Sequence, residues 1–203
     1  MDQPTTSLGT ILSIWAHPDD ETYLAGGLMA AAAANGHRVV CVSATAGELG
    51  TDDPDRWAPE RLGMVRQLEA AAAMAVLGVT EHRFLGLPDG GLADHEAKGA
   101  AIVSAVLEEV QPDTILTFGR DGMTFHEDHR AIHRWVTKAW EASGGATRLL
   151  HATWTSERLA RFGPMYEAGG VFMSDLRPVG VPAARCSLRL QVGGAALDRK
   201  LAA

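Results

Sequence analysis

Thr10–Glu21 reads TILSIWAHPDDE, and how this stretch is read decides the fold. Thr10–Ala16 is a short apolar run of strand length, and from about Glu21 to Asn35 the pattern is helical, with Gly36 placed as its C-cap. Between strand and helix stand His17, Pro18, Asp19 and Asp20. A dinucleotide-binding protein would carry G-x-G-x-x-G in this place. A strand emptying into a helix through a turn dense in imidazole and carboxylate is the start of a βαβ unit with a polar rim.

The same alternation runs outward along the chain. Further strands are expected at Arg38–Ala44, Glu81–Leu85, Thr114–Phe118 and Leu149–Trp154. Helices are expected at Glu60–Leu77, ended by Gly78, and at Ala93–Val110, His126–Ala142 and Ser156–Ala168. On the Glu60 helix the inward face is expected to carry Leu62, Val65, Leu68, Ala72 and Val76; on the Ala93 helix, Ile102, Val103, Val106, Leu107 and Val110. On the His126 helix the stripe is Ile132, Trp135, Val136, Ala139 and Trp140, with His129 on it. The main strands are continuous apolar runs, as in a parallel sheet buried on both faces. The fold expected is α/β: a Rossmann-like, doubly wound, mainly parallel sheet with helices on both faces, in three layers. One domain over residues 1–203 is expected, with a core to residue 154 and a weakly patterned part from 155. There Arg185–Val192 reads as one more strand and Ala196–Ala203 as the first two turns of a helix.

Composition narrows the function. Of 203 residues, 46% are hydrophobic and 21% charged, as in ordinary globular proteins. Eighteen basic against 25 acidic residues give a net charge of −7, the opposite of a nucleic-acid footprint. Cys41 and Cys186 lie in apolar runs and read as buried free thiols, which fits a reducing cytoplasm. MDQPTTSLGTILSIW lacks a basic n-region and does not read as a secretory signal, and the longest apolar candidate, Leu24–Ala34, is too short to span a membrane.

Ligands of parallel α/β sheets bind outside the carboxyl ends of the strands. Four loops therefore matter: Ala16–Glu21, Thr45–Asp53, Gly86–Gly91 and Gly119–His129. His17 and Asp20 are three apart and can point the same way, with Asp19 beside them; His126 and His129 repeat the spacing at a helix start. Any one of these histidines alone is an ordinary helix-terminus residue, and an Asp pair before a helix is commonly a cap. Together, two imidazoles and a carboxylate with a spare carboxylate alongside match a catalytic zinc site, in which three protein ligands leave one position for water. Asp89, Glu48 and the Arg66/Glu69 pair have plain readings as turn formers and a helix ion pair. His37, His82, His95 and His151 read as structural, and His133 as a helix-surface residue.

AHPDDE at 16–21, GELGT at 47–51, RQLEAAAAMAVLGV at 66–79, LGLPDGG at 85–91 and FHEDH at 125–129, in this order and spacing, resemble the LmbE/PIG-L-like zinc-dependent de-N-acetylases. The resemblance covers about Thr10–Trp154. It implies a zinc-dependent hydrolase, with one Zn²⁺ per chain, that removes the N-acetyl group from an N-acetylglucosamine-type amino sugar or its conjugate. Motif by motif, it makes His17, Asp20 and His129 the zinc ligands and Asp19 the general base. His126 becomes the residue that polarises the carbonyl or protonates the amine, and Asp128 the residue that tunes it. Arg66 and Asp89 are assigned to the sugar hydroxyls. Two features depart from the family pattern: Glu127 replaces a proline, and the chain stops at Ala203 where relatives continue into a helix with an H-x-S-Q segment. Ala203 is accordingly expected to mark a truncation or an order-to-disorder boundary.

The substrate expected is a small amino-sugar conjugate, with no nucleic acid and no membrane span; oligomeric state is left open. The alternative is a metal-dependent phosphoesterase acting on a small sugar phosphate, for which Arg66 and Arg120 are the candidate rim cations. Such enzymes favour more oxygen ligands and often two metals. A nucleotide-binding module lacks its glycine motif, and a nucleophilic serine hydrolase lacks G-x-S-x-G.

Overall fold

A computed structural model describes residues 8–203; the reading of the first residues as carrying no secretory signal lies largely outside the described residues. Five strands form one parallel sheet: β1 (Ile11–Trp15), β2 (Val39–Ser43), β3 (Glu81–Phe84), β4 (Thr114–Phe118) and β5 (Arg148–Ala152). Their order is β3-β2-β1-β4-β5. β1 pairs with β2 from Ile11↔Val39 to Trp15↔Ser43 and with β4 from Ile11↔Thr114 to Ser13↔Leu116. The three central strands are buried at every position, as their apolar runs require. β3 and β5 are the edges and are only partly covered. β5 starts one residue earlier and ends two earlier than its sequence pattern suggests.

The helices are α1 (Asp20–Leu24), α2 (Gly26–Ala34), α3 (Pro59–Leu77), α4 (Glu96–Val110), α5 (Glu127–Ala142), α6 (Ser156–Ala168) and α7 (Gly194–Ala202). From β1 the chain moves outward to β2 and β3, and then from β4 to β5 on the other side. Crossovers of one hand that run in opposite directions along the sheet place their helices on opposite faces. They put α2 and α3 in one layer, joined by α7, and α4 and α5 in the other. This is the three-layer, doubly wound arrangement expected. Gly99 lets α4 and α5 approach closely, because a Cβ there would stand 2.2 Å from the Trp135 indole. Overpacking of that kind costs about 1–3 kcal/mol.

Several local expectations are corrected. The single helix expected over Glu21–Asn35 is two, broken at Ala25, whose φ of −128° leaves the helical range. On α3 the buried side chains are Leu62, Ala70, Ala73, Met74 and Leu77. Leu68, Ala72 and Val76 face solvent, because an alanine-rich helix offers apolar positions on both sides and tertiary packing selects one. Arg185–Val192 is not a strand but a 3₁₀ turn and extended coil. His133 is half-buried, its ring nitrogen 3.0 Å from the Phe118 carbonyl, rather than a surface residue. Cys41 is buried as expected, but Cys186 is only half-buried; both are free.

The last helix is supported by the rest of the molecule. Lys200 donates to the carbonyls of Thr22 (2.7 Å) and Tyr23 (3.0 Å) at the end of α1. The break at Ala25 leaves those carbonyls without continuing helix, and an ammonium satisfies them while complementing the helix dipole.

Candidate metal centre

The strand order reverses between β1 and β4, so the loops leaving these two strands diverge and open a crevice at the switch point. The loop after β1 carries His17, Asp19 and Asp20; the loop after β4 winds through positive φ at Gly122, Met123 and Phe125 before reaching His126. His126 caps α5, its Nδ1 accepting from the Asp128 N–H at 3.2 Å. Asp128 and His129 then fall on the buried side of α5. The sequence contained no signal for the positive φ of Met123 and Phe125, which the loop imposes on residues that ordinarily avoid it.

Three donor atoms converge here. His129 Nε2 lies 3.3 Å from His17 Nδ1 and 3.4 Å from Asp20 Oδ1, and His17 Nδ1 lies 3.6 Å from Asp20 Oδ2. An ion with ligands at about 2.0–2.1 Å in a tetrahedron needs donors about 3.3–3.4 Å apart, so this triangle fits one face of such a site. The two rings are oriented for it. His129 Nδ1 faces the Gly122 carbonyl at 2.9 Å, leaving Nε2 as the free donor. His17 Nε2 faces Asp89 Oδ1 at 3.0 Å and Asp128 Oδ2 at 3.3 Å, leaving Nδ1 toward the triangle. The residues therefore suit a divalent ion held by two imidazoles and a carboxylate. A second grouping, His17, His126 and Asp128, is also compact. It suits an ion less well, because Asp128 already accepts from the Gly90 (2.8 Å) and Leu92 (3.0 Å) N–H groups.

The electrostatics agree. Burial disfavours charge on His17, but Asp128, Asp20 and Asp89 outweigh it and raise its pKa to about 12. The surrounding carboxylates call for a cation, and the proton on Nδ1 is what a metal would displace. His129 and His126 are both lowered, chiefly by burial; His129 is opposed by Asp20, and His126 is lowered further by His129 and His17. A neutral His126 with Nδ1 occupied keeps its proton on Nε2.

Asp19 sits beside the triangle with φ at +116°, a conformation non-glycine residues rarely adopt. The buried Glu21 carboxylate brackets its N–H, both oxygens at 3.3 Å. Arg66 donates to Asp19 Oδ2 (3.0 Å), the Pro18 carbonyl (2.5 Å) and the Gly47 carbonyl (2.8 Å). Gly47, with φ at +63°, gives the guanidinium room, since a Cβ there would meet it at 2.1 Å. Water stripped from Asp19 and the charge of Asp20 raise its pKa to about 6, against the pull of Arg66 and His17. Asp89 is held by the Leu49 N–H (2.9 Å) and gives its own N–H to Glu48 (2.9 Å).

All eight site residues expected from the sequence are thus brought together, but three differ in detail. The Asp128 carboxylate acts on His17, and its hydrogen bond to His126 runs through the backbone. Asp89 also reaches His17 while lining the cleft. Arg66 spends its fork on Asp19 and two carbonyls, and Arg120 is exposed and outside the cleft lining, so the rim cations foreseen for a phosphoesterase are not free for a phosphate at the triangle. The sequence reading missed the other wall of the cleft. A cavity of about 940 Å³ opens from the triangle and is lined as well by Tyr23, Trp154, Arg158, Tyr166, Val171 and Met173. Its signal, an aromatic-rich segment around α6, was present but has no fixed spacing to a motif.

Fold and site define a doubly wound α/β protein with a two-histidine, one-aspartate cluster at its switch point. The GlcNAc-PI de-N-acetylase (PIG-L) family matches residues 12–140, and the chain belongs to that family. It is 36% identical over 174 residues to the 1D-myo-inositol 2-acetamido-2-deoxy-alpha-D-glucopyranoside deacetylase of Saccharomonospora viridis, covering 74% of this chain and 65% of that one. The chain spans about half to two thirds of the length of the curated relatives it matches. The fold is shared with N,N'-diacetylchitobiose deacetylase from Pyrococcus horikoshii (TM-score 0.65, 21% identity, 98% of this chain and 69% of that one). It is shared too with the 4-carboxy-2-hydroxymuconate hydratase GalB of Pseudomonas putida (TM-score 0.59, 18% identity, 83% and 80% covered). A fold that serves both deacetylase and hydratase does not fix the reaction; the site must.

Proposed function

We propose that this chain is a metal-dependent hydrolase that removes the N-acetyl group from an N-acetylglucosamine-type amino sugar or its conjugate. The observation that carries the reading is the donor triangle of His17 Nδ1, Asp20 and His129 Nε2, flanked by Asp19 and His126, in a chain of the de-N-acetylase family. Two imidazoles and one carboxylate favour zinc, one ion per chain. When bound, the ion supplies an acidified water and a polarised acetyl oxygen.

The chain's own residues do the rest. Asp19, a carboxylate at neutral pH and aimed by Arg66 and Glu21, accepts the proton of the attacking water. His126 presents Nε2–H to the charge that develops on the acetyl oxygen. The amine leaves with a proton returned from Asp19 or His126, giving acetate and the free amino sugar. Asp128 holds His17 in position through Nε2 and steadies His126 through its own N–H. Asp89 lines the cleft, where it selects the sugar by its hydroxyls, while Arg66, committed to Asp19 and two carbonyls, positions the base.

The substrate is a small molecule, a reading supported by a cavity of about 940 Å³, within the range of small-molecule sites. Among the described residues no helix is long and apolar enough to cross a membrane. The two free thiols support a place in the reducing cytoplasm. The reading is tested by incubating zinc-loaded protein with a panel of N-acetylglucosamine conjugates and following the products by mass spectrometry. Loss of one acetyl group, abolished by stripping the metal, is expected. An intact panel after prolonged incubation with zinc-loaded protein overturns it.

A further inference from the structure

The wall of the cleft contributed by α6 carries an arginine in an unusual setting. Arg158 lies over two rings at once, its guanidinium carbon 5.7 Å from the Trp154 centroid and 5.8 Å from that of Tyr166. Its Nε donates to the Tyr166 hydroxyl at 2.7 Å. Its main-chain N–H is held by the Thr155 cap at 3.2 Å. Side chain and backbone are thus both fixed, and the rings beneath are themselves anchored: Trp154 Nε1 donates to the Met123 carbonyl at 2.6 Å, and both rings are almost fully buried. The chain beyond α6 is tied to the same rim, the Met173 N–H donating to the Thr124 carbonyl at 3.0 Å.

The two terminal nitrogens of Arg158 have no acceptor among the described residues. Arg66, the other arginine lining this cavity, uses its terminal nitrogens on Gly47, Pro18 and Asp19. A fixed guanidinium with an open fork recognises an oxyanion in two-point geometry. The surfaces next to it, Trp154, Tyr166, Val171 and Met173, are apolar. A ligand satisfying both has an apolar body with an anionic group on it.

We propose that Arg158, seated on Trp154 and Tyr166, forms a subsite for an anionic group, carboxylate or phosphate, carried by the part of the substrate beyond the amino sugar. The proposal deepens the deacetylase reading and rests on it for placing the sugar at the donor triangle. It selects, among amino-sugar conjugates, those whose aglycone is negatively charged. The open fork makes Arg158 a specificity residue, with no part in the bond-breaking steps.

The experiment uses three phenyl glucosaminides, each in both anomeric forms, bearing a para carboxylate, a para phosphonate or a para carboxamide. Binding to the zinc-loaded protein is measured by calorimetry, and acetate release is followed separately from the N-acetylated forms. At least one anion is expected to bind about tenfold tighter than the carboxamide, as a charged hydrogen-bonded pair at a partly open site implies. Whichever anion wins identifies the source. Arg158→Gln should erase the preference and Arg158→Lys should keep part of it, with metal content and carboxamide binding unchanged in both. Equal binding of all three ligands to the wild type overturns the subsite, as does a preference that survives Arg158→Gln. Because binding is read without turnover, failure of acetate release counts against the deacetylase reading alone.

Discussion

The two sides of the cleft are held in different ways. On the triangle side, His17, Asp20, Asp128 and His129 have side chains about a tenth exposed or less, and each is fixed from at least two directions. Their partners come from strand-end loops of β1, β3 and β4, so the sheet itself sets the geometry. On the α6 side, Arg158 is exposed, Met173 is 61% exposed, and the wall joins the rim through the Trp154 and Met173 hydrogen bonds. The difference separates chemistry from selection. Groups that must hold a metal and a proton within fractions of an ångström are built on the rigid scaffold. Groups that choose what lies beyond the sugar sit on a covering that can vary without disturbing them.

Breaking the triangle should have the largest effect. His129→Ala is expected to take the protein from about one divalent ion per chain to almost none, with loss of all measurable turnover. Elemental analysis checks this, and undiminished metal would remove His129 from the ligand set. Asp19→Asn comes next. It should keep its metal and lose turnover by ~10²-fold or more, the contribution of a positioned general base. Loss of metal in this variant, together with its retention in Asp20→Asn, would reverse the two roles.

The support behind the triangle is a smaller term. Asp128→Asn should weaken metal affinity by about 10- to 100-fold, as loss of a carboxylate behind a ligating histidine does. Competition against a chelator measures it. An unchanged affinity would mean that Asp89 alone orients His17. The smallest effect is expected farthest from the chemistry. Lys200→Met removes the ammonium from the Thr22 and Tyr23 carbonyls, a loss of about 1 kcal/mol that lowers Tm by about 2–4 °C. Metal content should not move. If it does, α7 helps to position the Asp20 turn, and the two sides of the cleft are less separate than their geometry suggests.

Much of this was legible in the chain before folding. The runs at β1, β2 and β4 announce strands buried on both faces, because only a sheet covered on both sides takes such apolar segments without alternation. His17, Asp20, His126 and His129 sit at the ends of such strands, and their residue types alone define the chemistry they can do. The helix break at Ala25 was missed although Gly26 and Gly27 follow it, a pair that marks turns but that also fits a tightly packed helix. The buried side of α3 was not legible, since either face was apolar enough.

The sequence by itself determined the order of strands and helices, the loops that meet at one rim, and a donor set suited to a single metal ion. Only the tertiary structure decided which oxygen and which nitrogen face one another. His17 and His129 are 112 positions apart, and Asp128 finds His17 across 111. Local periodicity says which side of an element is buried, but not which distant group meets it there. That is why Asp128 turned out to act on His17, and why Arg66 turned out to be committed to Asp19. The aromatic seat of Arg158 likewise exists only because β5 delivers Trp154 beside the Met123 carbonyl, a contact between segments that no local pattern links.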